Sequence, residues 1–247
     1  MSCWVFFMAH DQPSTRPETR HQLQMARSMC WHCQSEMSGE YFCERCVKVQ
    51  PVSKDTDYFT CLGFPRRLTL DPKKLEAKFY ELSRAFHPDF YQAKSPTEQT
   101  ISLGNAAVLN TAYRTLRDPI QRAEYLLALE AGSVKDIRTS PPADLFEEIL
   151  ELQDTLEQYR ASDRESDQSH RLRASLQTEQ QTLERRREEM ESQLRQLFTD
   201  WDQLQDRAEA TSQARVERDR ILKQMRDLLS HRTYINNIVN DLAATIA

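Results

Sequence analysis

The sequence predicts an all-α chain: a helical hairpin, then a C-terminal three-helix bundle, with a small cysteine-rich knuckle in front. Three observations predict this. The helix breakers stop early: the last glycine is Gly132 and the last proline Pro142, so the 105 residues of 143–247 contain neither. Apolar residues recur at spacings of three and four along 71–86, 96–117 and most of the second half. The balance of 39% apolar and 29% charged residues suits helices that each bury one stripe rather than a large buried sheet.

Residues 1–29 are expected to be a disordered leader. The stretch "CWVFFMA" at 3–9 is too short to span a membrane and has no basic segment before it. Arg16, Arg20 and Arg27 leave an organelle address as the alternative, which Asp11 and Glu18 oppose.

Residues 30–50 carry "CWHC" and "CERC", two C-x-x-C pairs nine residues apart. Each pair lets one tight turn aim two thiolates at a single point. Two such turns make a four-sulfur cage suited to a structural Zn²⁺ held by Cys30, Cys33, Cys43 and Cys46. Paired disulfides and a redox-active C-x-x-C are the rival readings, disfavoured by the lack of a secretory signal and of a βαβ context. His32 is a spare ligand within the first turn. Four ligands close the site, so no metal catalysis is expected. Cys61 reads as a small core residue.

"DYFTCLGFP" at 57–65 reads as a short helix or turn. The next helix opens at Asp71-Pro72, an N-cap followed by proline at the first helical position. Leu75, Phe79, Leu82 and Phe86 form its stripe. It must stop near Phe86, because the residue before Pro88 is pushed out of the α region. A second helix over 96–117 carries Ala106, Leu109, Tyr113 and Leu116, and would pack antiparallel to the first. Asp118-Pro119 opens a third, ended by Gly132. His87, Pro88 and Asp89 therefore stand at the tip of a hairpin, facing solvent.

After a linker at 133–142, the second half is acidic. Residues 143–247 hold 15 basic and 22 acidic side chains, a net of −7, against +1 for 57–132. No basic patch or arm of the kind that binds nucleic acid is present. Leu145, Ile149, Leu152, Leu156 and Tyr159 form the inward stripe of the first bundle helix. The second repeats Leu176, Leu183, Met190 and Leu197, and the third Ile221, Leu228, Ile235 and Leu242. A coiled-coil dimer is the competing reading, with Arg187 and Arg232 interrupting the seams. The segment 160–190 could be an extended hairpin.

The residues 57–132 together resemble a J domain. The resemblance rests on "DYF…LGFP", on the helix leading into "HPDFY" and on the helix after it. "LNTAYRTLRDPIQRAEYLLALEAG" at 109–132, with a "CW-x-C" and "C-x-x-C" knuckle ahead, is similar to the HscB branch, co-chaperones of iron–sulfur cluster assembly. The resemblance implies a chaperone-binding site at His87, Pro88 and Asp89, aided by Lys74 and Lys78. That site would dock on an ATPase chaperone of the HscA/DnaK class and trigger its ATP hydrolysis. The alternative is a general J-domain folding co-chaperone. General J domains place basic residues late in the helix before the loop, whereas Glu76, Tyr80 and Glu81 stand there, which favours a dedicated partner.

The resemblance also implies a patch for an IscU-class scaffold at Phe146, Leu150, Glu151 and Asp154, completed by Tyr234. From the residues alone, Phe146 is equally a core residue and Tyr234 an ordinary half-buried tyrosine. No nucleophile, base and oxyanion donors come together and no phosphate-cradling glycine loop exists, so the chain is not expected to be an enzyme. The expected location is bacterial cytoplasm, with the mitochondrial matrix as alternative.

Overall fold

The computed structural model describes residues 28–39, 41–53, 55–131, 146–163, 165–207 and 211–246. The expected leader up to residue 27 and the linker at 133–142 lie outside them. Among the described residues there are seven helices and one minimal antiparallel ladder: β1 (Ser28–Met29), β2 (Glu36–Met37), α1 (Tyr58–Cys61), α2 (Pro72–Ala85), α3 (Pro96–Arg117), α4 (Pro119–Ala131), α5 (Phe146–Ala161), α6 (Asp167–Asp206) and α7 (Ser212–Ile246). No described helix is long and apolar enough to cross a membrane.

Local chemistry sets the helix starts. Asp57, Asp71, Asp118, Ser166 and Thr211 each accept a backbone N–H from the first turn that follows. These oxygens satisfy donors that a helix cannot pair internally. Pro72, Pro96 and Pro119 occupy first helical positions, where no amide donor is needed.

The chain divides into two compact units. The first joins the chain up to Thr56 with His87–Asn105, and so holds the cysteine knuckle, the loop after α2 and the front half of α3. The second joins Asp57–Phe86 with Ala106–Ala247.

In the second unit α2 runs against the rear half of α3, with Phe79 stacked on Tyr113 at a centroid distance of 4.2 Å. Phe59, Leu68, Leu75, Phe86, Leu109 and Leu116 are all at most 1% exposed. The same unit contains the bundle. Ile149, Leu152 and Leu156 of α5, Leu176 and Leu183 of α6, and Ile235, Val239, Leu242 and Ile246 of α7 form one core cluster. Most residues of the expected stripes are therefore inside. The 160–190 segment takes in the turn from α5 to α6 and the front half of α6, and its Leu176 and Leu183 belong to this core.

Leu228, expected in the α7 seam, is only half-buried, while its neighbours Leu222 and Leu229 are buried. A strict seven-residue repeat drifts about 20° per heptad on a straight helix. Over 35 residues α7 presents one face to α5 and α6 and another to α4.

The front helices and the bundle share an interface within this unit. Trp201 of α6 is buried, and its indole N–H donates to the Arg66 carbonyl at 3.1 Å. Both carboxylate oxygens of Asp202 accept backbone amides, from Leu68 and Thr69, each at 2.8 Å. Arg66 pairs with Asp57 at 2.7 Å and Glu130 at 3.2 Å, and Arg218 of α7 closes on the other oxygen of Glu130. Burial works to raise the Asp57 carboxyl. The Thr60 amide and the Arg66 guanidinium outweigh it and hold the group below the usual carboxylate range.

Candidate functional site

The His-Pro-Asp loop begins where α2 must end. Phe86 caps the helix and is buried. His87 follows in an extended conformation, φ −62° and ψ 125°, as a residue before proline requires. Pro88–Tyr91 then form a single 3-10 turn. The His87 ring caps that turn: its Nδ1 accepts the Asp89 N–H at 3.3 Å and lies 3.6 Å from Asp89 Oδ2. The side chains of His87 and Asp89 remain 50% and 70% exposed. Phe90, which the sequence reading left without a role, is 68% exposed beside them, while Tyr91 turns inward.

The far end of the loop is gripped by the first turn of α3. Ser95 and Glu98 form a reciprocal capping box: Ser95 Oγ accepts the Glu98 N–H at 3.3 Å, and Glu98 Oε2 accepts the Ser95 N–H at 3.3 Å and hydroxyl at 2.8 Å. The S-x-x-E spacing of 95–98 was a signal for this in the sequence. Gln99 Nε2 donates to the carbonyls of Gln92 and Lys94, both at 3.0 Å.

Lys74 and Lys78 lie on α2. Lys74 is exposed; Lys78 is half-buried and pairs with Glu81 at 2.8 Å.

In the knuckle the four cysteines converge as expected, their sulfurs all within 4.8 Å of one another. Cys30–Cys46 and Cys33–Cys43 are each separated by 3.6 Å. That is far longer than a disulfide, about 2.05 Å. It approaches the edge of a tetrahedron with metal–sulfur bonds of about 2.3 Å, about 3.8 Å. The two turns are built alike. Gln34 and Val47 donate to the carbonyls of Cys30 and Cys43, at 3.0 and 2.8 Å, and both have left-handed backbones, φ 61° and 58°. The left-handed residue reverses the chain after each C-x-x-C so that both sulfurs face inward.

The amides of His32 and Cys33 and the Gln50 side chain point at Cys30 Sγ, at 3.4, 3.5 and 3.3 Å. The Ser35 hydroxyl beside Cys43 draws its thiol down to about 6, while burial pushes Cys46 up to about 12. His32 is not in the ligand set; its ring meets Trp31 edge-on. β1 pairs Ser28 and Met29 with Met37 and Glu36, just ahead of the first cysteine. Cys61 is buried, as expected of a core residue.

On α5, Leu150 is 47% exposed and Glu151 and Asp154 are exposed on the side away from the core. Phe146 opens the helix, and its side chain lies outside the described residues. Tyr234 is half-buried against the bundle core. Among the described residues no hydrogen bond or ion pair joins it to Leu150, Glu151 or Asp154.

No family model matches the chain. Among curated proteins, the mouse "Iron-sulfur cluster co-chaperone protein HscB" is 34% identical over 133 residues, 51% of this chain and 56% of that protein. The "Co-chaperone protein HscB" of Proteus mirabilis is 43% identical over 74 residues, 30% of this chain and 43% of that one. Over these stretches the chain is similar to the HscB co-chaperones. The match spans about half the length of these curated relatives. The crystal structure of human co-chaperone protein HscB shares the fold: the similarity covers 88% of this chain and 98% of that one, with a TM-score of 0.58 at 21% identity. The all-α architecture of HscB proteins, a J domain followed by a helical bundle, is therefore the architecture here. The four-cysteine knuckle precedes it.

Proposed function

We propose that this HscB relative is a co-chaperone that docks its His87-Pro88-Asp89 loop on an HscA/DnaK-class ATPase and stimulates ATP hydrolysis there. It also delivers an IscU-class iron–sulfur scaffold, held by the bundle, to that ATPase. The observation that carries the reading is the loop itself: an imidazole, a ring-fixed turn and a carboxylate left in solvent just past the buried Phe86 that caps α2. A protein with no catalytic constellation of its own can accelerate a partner only by binding the partner's hydrolysis-ready state more tightly than its resting state. The exposed loop is suited to that.

Lys74 and Lys78 supply positive charge on α2 for the same encounter. Leu150, Glu151 and Asp154, with Phe146 and Tyr234, offer the scaffold a hydrophobic and acidic surface. Linking both sites in one chain raises the effective concentration of client at the ATPase. Cys30, Cys33, Cys43 and Cys46 hold a structural Zn²⁺: the donor set is four sulfurs with no open position.

The test is turnover of an HscA-class ATPase with this chain, with and without an IscU-class scaffold. Stimulation that rises further with scaffold supports the reading. Unchanged turnover in both cases overturns it. A scaffold pull-down separates it from a general folding co-chaperone, which would stimulate without retaining the scaffold.

A further inference from the structure

We infer that the metal knuckle braces the His-Pro-Asp loop, with Lys48 as the positioning residue; this rests on the docking role proposed above. Two threads run from the sulfur cage to α3, both inside the first unit. The first starts at Cys30 Sγ, which accepts Gln50 Nε2 at 3.3 Å. The Gln50 carbonyl accepts Asn105 Nδ2 at 2.8 Å, and Asn105 Oδ1 accepts the Val52 amide at 2.9 Å. Gln50 and Asn105 are 5% and 2% exposed. The second starts at Cys46, two residues before Lys48. The Lys48 carbonyl accepts the Cys43 amide at 3.0 Å, and its ammonium reaches Glu98 Oε2 at 3.0 Å. Glu98 is the carboxylate of the capping box that ends the loop at Ser95.

Glu98 and Asn105 are seven residues apart and so share one face of α3. The knuckle thus grips α3 at two points, one of them the anchor of the loop. Among the described residues of 28–50 the regular structure is two two-residue strands and one isolated bridge, Phe42 with Val49, so closing the four sulfurs on a metal adds the link that fixes the backbone aiming Lys48 and Gln50. Without it Glu98 keeps its burial and loses its cation. The carboxylate then weakens as a cap, and the loop end with it.

The experiment compares the full chain with Lys48→Met and with the charge-exchanged pair Lys48→Glu and Glu98→Lys. Metal content is checked with Co²⁺. Two readouts are taken: amide hydrogen exchange of 87–99, and ATPase stimulation resolved into half-maximal concentration and maximal rate. Lys48→Met is expected to keep one bound metal and to exchange about tenfold faster across the loop. Its half-maximal concentration should rise about fivefold or more, the scale of a typical coupling between sites, with the maximal rate retained. The exchanged pair should recover part of both effects, and metal removal by a chelator should reproduce them. Loop exchange in Lys48→Met equal to that of the unaltered chain overturns the inference. Because exchange needs no partner, it decides the brace even if the unaltered chain fails to stimulate any ATPase, a result that sinks only the docking role.

Discussion

Asp202 concentrates the interface between the front helices and the bundle in one side chain. It is 8% exposed and receives the amides of Leu68 and Thr69, both at 2.8 Å, on its two carboxylate oxygens. Those amides belong to the turn before α2 and have no helix to pair with. The carboxylate also attracts the buried Arg122 guanidinium, whose Nε has no hydrogen-bond partner among the described residues. Asp202→Ala removes both acceptors and leaves two amides and a guanidinium short of their counterpart. Hydrogen bonds to a charged acceptor contribute about 1.5–3 kcal/mol each, so two give about 3–6 kcal/mol. Alanine returns about 0.6 kcal/mol through its higher helix propensity.

The net expected loss is therefore about 2–5 kcal/mol, or a fall in Tm of about 4–20 °C for a chain of this size. Urea unfolding followed by circular dichroism measures it. Asp202→Asn keeps one acceptor oxygen and should lose about half as much. A loss below about 1 kcal/mol for the alanine variant, close to the scatter of ordinary surface changes, would refute the claim that this carboxylate clamps the two halves.

Co²⁺ added to the reduced chain should bind once and give the intense absorption of a tetrahedral thiolate site; Cys33→Ser should abolish that spectrum while the helical signal of the bundle persists. Leu150→Ala with Glu151→Lys should weaken scaffold binding about tenfold or more, read by calorimetry, with Tm nearly unchanged because both side chains are exposed. The depressed Asp57 carboxyl contributes stability that is full above its unfolded pKa, about 3.9, and is lost as pH falls through the lower folded value. Asp57→Asn should therefore flatten the stability profile below about pH 4; an unchanged acid limb would contradict the role given to the Arg66 pair.

The helix starts were legible because capping is local. Asp71-Pro72 and Asp118-Pro119 carry both the cap oxygen and the first-turn proline within two residues, and α2 and α4 begin there. The loop was legible for the same reason: Pro88 dictates the conformation of His87. The cage was legible because two C-x-x-C turns leave the sulfurs few other arrangements. What escaped the sequence joins distant residues. Lys48 and Glu98, Leu68 and Asp202, and Glu130 and Arg218 are 50, 134 and 88 residues apart. Each charged member alone reads as solvated surface, since nothing local marks its partner.

Arg187 and Arg232 show the converse. In sequence they interrupt apolar seams. In the fold Arg232 pairs with Glu191 at 2.7 Å and Arg187 donates to Asn236 at 3.3 Å, so α6 and α7 pack on past them.

On the proposed docking role His87 has two tasks that one substitution can separate. Its Nδ1 accepts the Asp89 amide, which in a neutral ring leaves the proton on Nε2 as a second polar atom of the half-exposed ring. Nδ1 shapes the loop, and Nε2, on a half-exposed ring, is free to meet a partner. Asparagine is among the best N-cap residues, and its Oδ1 can take the Asp89 amide much as Nδ1 does. It has nothing at the position of Nε2. His87→Asn should therefore leave the 3-10 turn in place, with Tm within about 2 °C and loop amide exchange unchanged, since a surface change without lost bonds is within about 0.5 kcal/mol. Stimulation of the ATPase should nevertheless fall to the level without this chain. A His87→Asn variant that stimulates fully would show that the histidine only shapes the loop, and contact with the partner would then fall to Asp89 and the exposed Phe90.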